Sequence, residues 1–195
     1  MVDYKNAVIK RLTDKKSPGH INLMDRIRSF FIRKFNQIDC HNTTIFKKSI
    51  QITTSKANAL KIGKNCVIHE RVSFLLTLPN PNVNIGDSVY IGRDTIIASK
   101  NSIEIGSYTV FAPRCYIIDH EHGFNSNELI LNQRSVLKKI KIGRDCYFGA
   151  GVVILGGVTI GDGVVIGANS VITKDIPNGY IGAGNPVKFI KSRSN

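Results

Sequence analysis

The sequence predicts an all-β solenoid, a parallel β-helix of about five coils with one ejected loop and a short helical segment ahead of it. Three regularities carry that prediction. First, Ile or Phe recurs every six residues within groups of three: Ile62, Ile68, Phe74; Ile85, Ile91, Ile97; Ile105, Phe111, Ile117; Ile142, Phe148, Ile154; and Ile160, Ile166, Ile172. Second, the next residue is Gly or Ala at ten of these 15 sites. Third, the fifth residue is Cys, Val, Thr or Ser at eleven of them. A period of six suits neither a helix nor plain strand alternation, but it suits a short strand and a tight turn repeated around a three-sided prism. The first residue of each hexad then points inward and stacks on its counterpart in the next coil. Glycine after it admits a backbone turn where a Cβ would clash or need an unfavourable φ, and the small fifth residue fills the corner.

Taken in order along the chain, residues 1–61 hold no clear hexad register, although Ile50, Ile52 and Leu60 suggest extended structure leading into the first coil. Met24, Ile27, Phe31 and Phe35 recur at helical spacing with Arg26, Arg28, Arg33 and Lys34 between them, which predicts a basic amphipathic helix. Such a stripe is expected to pack as a cap on the open end of the solenoid; the alternative is docking on an anionic membrane face. Ser17, Pro18 and Gly19 are expected to form a turn or linker before it. Residues 62–177 form the β-helix. Its one large interruption, residues 123–141 (GFNSNELILNQRSVLKKIK), leaves the register intact on both sides, so it is a loop ejected from one face. Residues 178–195 form a tail. Cys66, Cys115 and Cys146 all fall on the small fifth position and are expected to be packing residues.

Composition narrows the function. At 195 residues and 42% hydrophobic content, the chain is expected to be globular, with one core. Its apolar runs are far shorter than the roughly 20 residues of a membrane span, and the start MVDYKNAVIK lacks the apolar core of a secretory signal, which predicts a cytoplasmic protein. Four cysteines without CxxC spacing argue against a zinc ribbon or a disulfide framework. The net charge is +13, and residues 1–61 hold 13 basic against 4 acidic side chains. An anionic partner follows: a membrane surface, a phosphorylated cofactor or an acidic saccharide. No helix-turn-helix, finger or aromatic RNA-binding signature accompanies the charge, so nucleic acid is not expected.

Functional residues are expected where the repeat breaks. Immediately before the ejected loop stand Asp119, His120, Glu121 and His122, with Glu121 at a corner that should be small. An imidazole titrates near neutral pH, so His120 is the candidate general base if a neighbouring group orients it. A zinc site would need a third imidazole, and the other histidine on the hexads, His69, lies two coils away; no metal is expected. Lys100 and Asn101 lie near the histidine by placement, and Asn101 also breaks the small-corner rule. With Asp119 and His122 they are the candidate substrate contacts.

The hexads, the Asp119-His120-x-His122-Gly123 break, the stretch 166–177 (IGANSVITKDIP) and the Ala183-Gly184-Asn185-Pro186 ending together resemble the hexapeptide-repeat acyltransferases over about residues 62–191. Within that family the chain is most similar to bacterial O-acetyltransferases of surface sugars, and to galactoside and maltose acetyltransferases. The resemblance implies left-handed winding, acetyl-CoA as donor, a homotrimer, a saccharide acceptor, and active sites in clefts between adjacent β-helices. His120 matches the family's catalytic histidine, which activates the acceptor hydroxyl for direct attack on the thioester. Ala150, Ala168, Thr173 and Lys174 match positions lining the acetyl-CoA cleft, and Lys188 and Lys191 fall where the family often has arginines facing the CoA phosphates. Lysine keeps the charge there but not the bidentate fork. Tyr147 stands where many relatives have Trp, a residue this chain lacks, and offers a stacking surface in its place. An N-acetyltransferase of a nucleotide-linked amino sugar is the nearest alternative, and a metal-dependent protein like the gamma-class carbonic anhydrases is a further one.

Overall fold

In the computed structural model, which describes residues 21–193, three parallel sheets wind into a prism. The first face is built from Asp39–Cys40, Leu60–Ile62, Val83–Ile85, Ile103–Ile105, Ile140–Ile142 and Thr159–Ile160. The second begins at Ile45–Phe46 and the third at Gln51–Thr54, and each coil adds one strand to every face. Equivalent hexad positions stack in register, as in Ile85, Ile105 and Ile142 on the first face. All 15 Ile and Phe positions are buried, none more than 4% exposed. Phe111 and Phe148 stack with ring centroids 4.8 Å apart.

The glycines after them answer to close approach. A Cβ on Gly106 would stand 2.5 Å from the Gly143 backbone, and one on Gly143 would stand 2.6 Å from that of Gly161. The left-handed backbone that the turn needs falls two residues later instead, on Asn65, Ser88, Tyr108 and Asp145, with φ between 54° and 65°.

The prism has six coils rather than five, because one precedes Ile62. Cys40, Phe46 and Ile52 pair with Ile62, Ile68 and Phe74, so the hexad register begins at Cys40. Position one is cysteine there, and His41, Lys47 and Thr53 stand where Gly or Ala marks the later hexads. The solenoid therefore starts within the stretch that the sequence assigns to the N-terminal region. The ejected segment is also shorter than read, since Ile140 and Lys141 already belong to the first face. Part of the tail rejoins the stack: Tyr180–Ala183 pairs with the second face, and Lys188–Ser192 folds back antiparallel across it. That hairpin ends the parallel ladder.

At the opposite end lies helix α1, Leu23–Phe35, started by a capping box between Asn22 and Asp25. It covers the first coil, but not with its apolar stripe. Ser29 Oγ accepts the Phe46 N–H at 2.8 Å, and Arg33 donates to the Thr44 carbonyl at 3.0 Å. Asp25, buried, pairs with the equally buried Lys47 at 2.7 Å. Phe46 N–H and Thr44 C=O lie on the edge of the first coil, where the ladder has no further strand to pair with, and polar side chains meet that need better than apolar ones. Met24, Ile27, Phe31 and Phe35, expected to be the packing face, all point away and are exposed.

Candidate active site

The corner between the third and first faces holds the candidate base. After Ile118 the chain leaves the coil: His120–His122 pairs antiparallel with Ser135–Leu137, so the ejected segment is a hairpin with an apolar, exposed tip around Phe124, Leu129 and Leu131. Asp119, the last residue before the hairpin, is wholly buried. Its carboxylate accepts four hydrogen bonds. Oδ1 takes the Lys100 N–H at 2.9 Å and His120 Nδ1 at 3.0 Å. Oδ2 takes the Ser99 hydroxyl at 2.6 Å and the Asn101 N–H at 2.9 Å. With Nδ1 donating to a carboxylate, the proton of the neutral imidazole sits on Nδ1 and Nε2 keeps its lone pair. The His120 side chain is 16% exposed, enough to be reached from outside, and no described residue hydrogen-bonds its Nε2.

The hairpin is tied down beside this pair. Lys138 N–H donates to the Asp119 carbonyl at 2.7 Å, and its ammonium pairs with Glu121. Lys100 Nζ donates to Ser135 Oγ at 2.8 Å. Gly156 lies under this crossing, where a Cβ would stand 3.0 Å from Lys138 Cβ and 3.1 Å from the Asp119 carbonyl carbon. Glu121 breaks the small-corner rule because it is no longer at a corner: the coil has ended two residues earlier.

A family model described as bacterial transferase hexapeptide (six repeats) matches residues 139–174. The putative colanic acid biosynthesis acetyltransferase WcaF of Escherichia coli K12 is 34% identical over 133 residues, which cover 68% of this chain and 69% of that protein. The chain belongs to the bacterial hexapeptide-repeat transferases. Galactoside O-acetyltransferase of Lactococcus lactis is 32% identical over 155 residues, covering 80% of this chain and 71% of that one. Among solved structures, AntD, an N-acyltransferase from Bacillus cereus in complex with dTDP and 3-hydroxybutyryl-CoA, superposes with a TM-score of 0.74 over 85% of this chain and 88% of that one. At 22% identity that likeness speaks for the fold.

As a hexapeptide-repeat transferase the protein is an acyltransferase, and the prism sorts its candidate residues onto two different edges. Asp119, His120, Lys100, Asn101, Thr173 and Lys174 all lie at the corner between the third and first faces. Ala150 and Ala168 lie at the corner between the second and third faces, stacked so that the Ala150 carbonyl accepts the Asn169 N–H at 2.8 Å. Tyr147 projects from the second face and is 47% exposed, and Lys188 and Lys191 sit exposed on the strand that closes that same face. One protomer thus does not bring its second-face residues beside its own His120.

One expected substrate contact needs correction. Asp119 is buried and saturated by its four donors, so it meets no acceptor; it holds the histidine. Lys100 donates to Ser135 of the hairpin, which leaves two of its three ammonium donors for other partners. His122 is exposed on the hairpin strand, and Asn101 is half-buried, its backbone on Asp119. Ser99, wholly buried and donating to Asp119, is the residue that sequence reading missed; its only signal is its place one coil below the break. Cys115 is also buried, its thiol on the Ala112 and Gly149 carbonyls, and burial pushes its pKa up to about 11. It stays a protonated packing residue, as its corner position implies.

Proposed function

We propose that this transferase is an acetyl-CoA-dependent O-acetyltransferase acting on a sugar hydroxyl of a bacterial surface polysaccharide or its precursor. The observation that carries the reading is the fixed tautomer of His120: Nδ1 is held by buried Asp119, which leaves Nε2 as the base. The acceptor O–H gives its proton to Nε2 as its oxygen bonds to the acetyl carbonyl carbon; the C–S bond then breaks, and the imidazolium returns the proton to the departing CoA sulfur. No acyl-enzyme forms. The names of the relatives, galactoside O-acetyltransferase and a colanic acid biosynthesis acetyltransferase, support a saccharide acceptor.

In this reading the working unit is a homotrimer. His120, Asn101, Thr173 and Lys174 of one protomer face the Tyr147, Ala150, Ala168, Lys188 and Lys191 side of the next, where the donor lies with its phosphates on the two lysines. The separation of the two groups onto different edges supports it. The protein works in the cytoplasm, in peripheral contact with an anionic membrane.

Labelled acetyl-CoA offered with a panel of saccharides tests the proposal. The expected product carries an alkali-labile ester on a sugar hydroxyl. An alkali-stable amide on an amino sugar would favour the activity in the name of AntD, the N-acyltransferase, and would overturn the O-transfer reading.

A further inference from the structure

Helix α1 is bound to the prism through Asp25, Ser29, Ile32 and Arg33, and this leaves an apolar arc with nothing in the described chain to cover it. Leu23, Met24, Ile27, Phe30, Phe31 and Phe35 are 42–71% exposed. The rings form one cluster, with Phe31 stacked on Phe35 at 6.0 Å and edge-on to Phe30 at 5.6 Å. Soluble surfaces scatter single apolar residues, but six on one arc of a short helix are a patch.

The charges around the arc say what it fits. Lys34 lies within it, its ammonium 5.9 Å from the Phe30 and Phe35 ring centroids, and Arg26 flanks it on one side; Arg28, on the other, is paired with Asp25 at 2.8 Å. The helix has a single acidic residue, Asp25, and that one is buried against Lys47. The outward side therefore offers apolar bulk and cations only. A second copy seated on the same patch would bring only cations toward Lys34 and Arg26, so any charged contact across it would be a like-charge one. A bilayer interface takes both features at once: the rings enter the headgroup boundary while lysine and arginine reach back to lipid phosphates.

We infer that α1 docks the protein on an anionic lipid surface through Leu23, Met24, Ile27, Phe30, Phe31 and Phe35, standing the prism on its N-terminal end. This gives the membrane contact of the proposed function a named surface and an orientation. His120, three coils above the first, then lies about 15 Å further along the prism axis, at strand spacing, from the lipid side. In a trimer with parallel prisms, all three helices face the same plane, and three weak contacts act as one strong one.

The test is sedimentation of the full chain with phosphatidylcholine vesicles prepared with or without phosphatidylglycerol. Binding is expected with the anionic vesicles, weakening as salt is raised. The double variant Ile27→Asp/Phe31→Asp, which touches no core residue, should bind roughly tenfold or more weakly while transferring acetyl groups to a water-soluble acceptor as before. Wild-type protein left in the supernatant, or a double variant that sediments like wild type, would overturn the inference. So would a double variant whose mass in free solution is lower than that of wild type, since the arc would then be a contact between copies. Vesicle binding is read without turnover, so failure here leaves the transferase reading standing, and absence of transfer leaves this one standing.

Discussion

His120→Ala should lower turnover by roughly 100-fold or more, the usual contribution of a positioned general base. The fold should hold, because the side chain lies at a corner outside the stacked Ile and Phe positions, and its one hydrogen bond is to Asp119. Steady-state kinetics separate the possibilities. Loss confined to kcat, with the apparent constant for acetyl-CoA little changed, marks an interaction made in the transition state. Near-wild-type turnover in the alanine variant would remove His120 from the reaction.

Asp119→Asn should cost about 100- to 10,000-fold in kcat, although the side chain never meets substrate. The carboxylate takes two donors on each oxygen: Ser99 and Asn101 on one, Lys100 and His120 on the other. An amide has one accepting oxygen. Placed toward Ser99 and Asn101, it turns its NH2 on the Lys100 N–H and on His120 Nδ1, so the imidazole can be satisfied only by moving its proton to Nε2. The nitrogen that takes the acceptor proton is then already protonated. The crowded Lys100 N–H should also cost about 1–3 kcal/mol of stability, as an unmet buried donor does. Nitrogen-15 chemical shifts of the imidazole report the tautomer directly. A variant with the proton still on Nδ1 and wild-type kcat would contradict this assignment.

The contrast between these two residues shows what the chain's residue order could and could not disclose. His120 was legible because it interrupts a repeat whose rules are steric: Ile or Phe inward, Gly or Ala next, a small residue at the corner. The first rule holds at all 15 positions, which are buried accordingly, and the other two hold at ten and eleven of them. They loosen at the first coil, where Cys40, His41 and Lys47 replace the expected types, so that coil was not recognised. The direction of α1 was not legible for a related reason. Periodicity shows that a helix has an apolar side, but the end of a solenoid exposes unpaired N–H and C=O groups, and Ser29 and Arg33 answer them. By sequence Asp119 is a candidate substrate contact beside a loop. Its burial depends on backbone N–H groups of Lys100 and Asn101 from the preceding coil, a convergence that residue type does not announce.

The two halves of the proposed site come from different protomers, and a subunit-mixing experiment measures that. His120→Ala removes the base edge, while Ala168→Trp fills the exposed corner proposed to hold the donor. Each variant alone should be inactive. Coexpressed with different tags and purified as mixed trimers, they should regain acetyl transfer at about one site in three, because every closed ring of mixed protomers contains one junction where an intact imidazole faces an intact second-face edge. Mixed trimers as inactive as their parents would contradict a site shared between protomers.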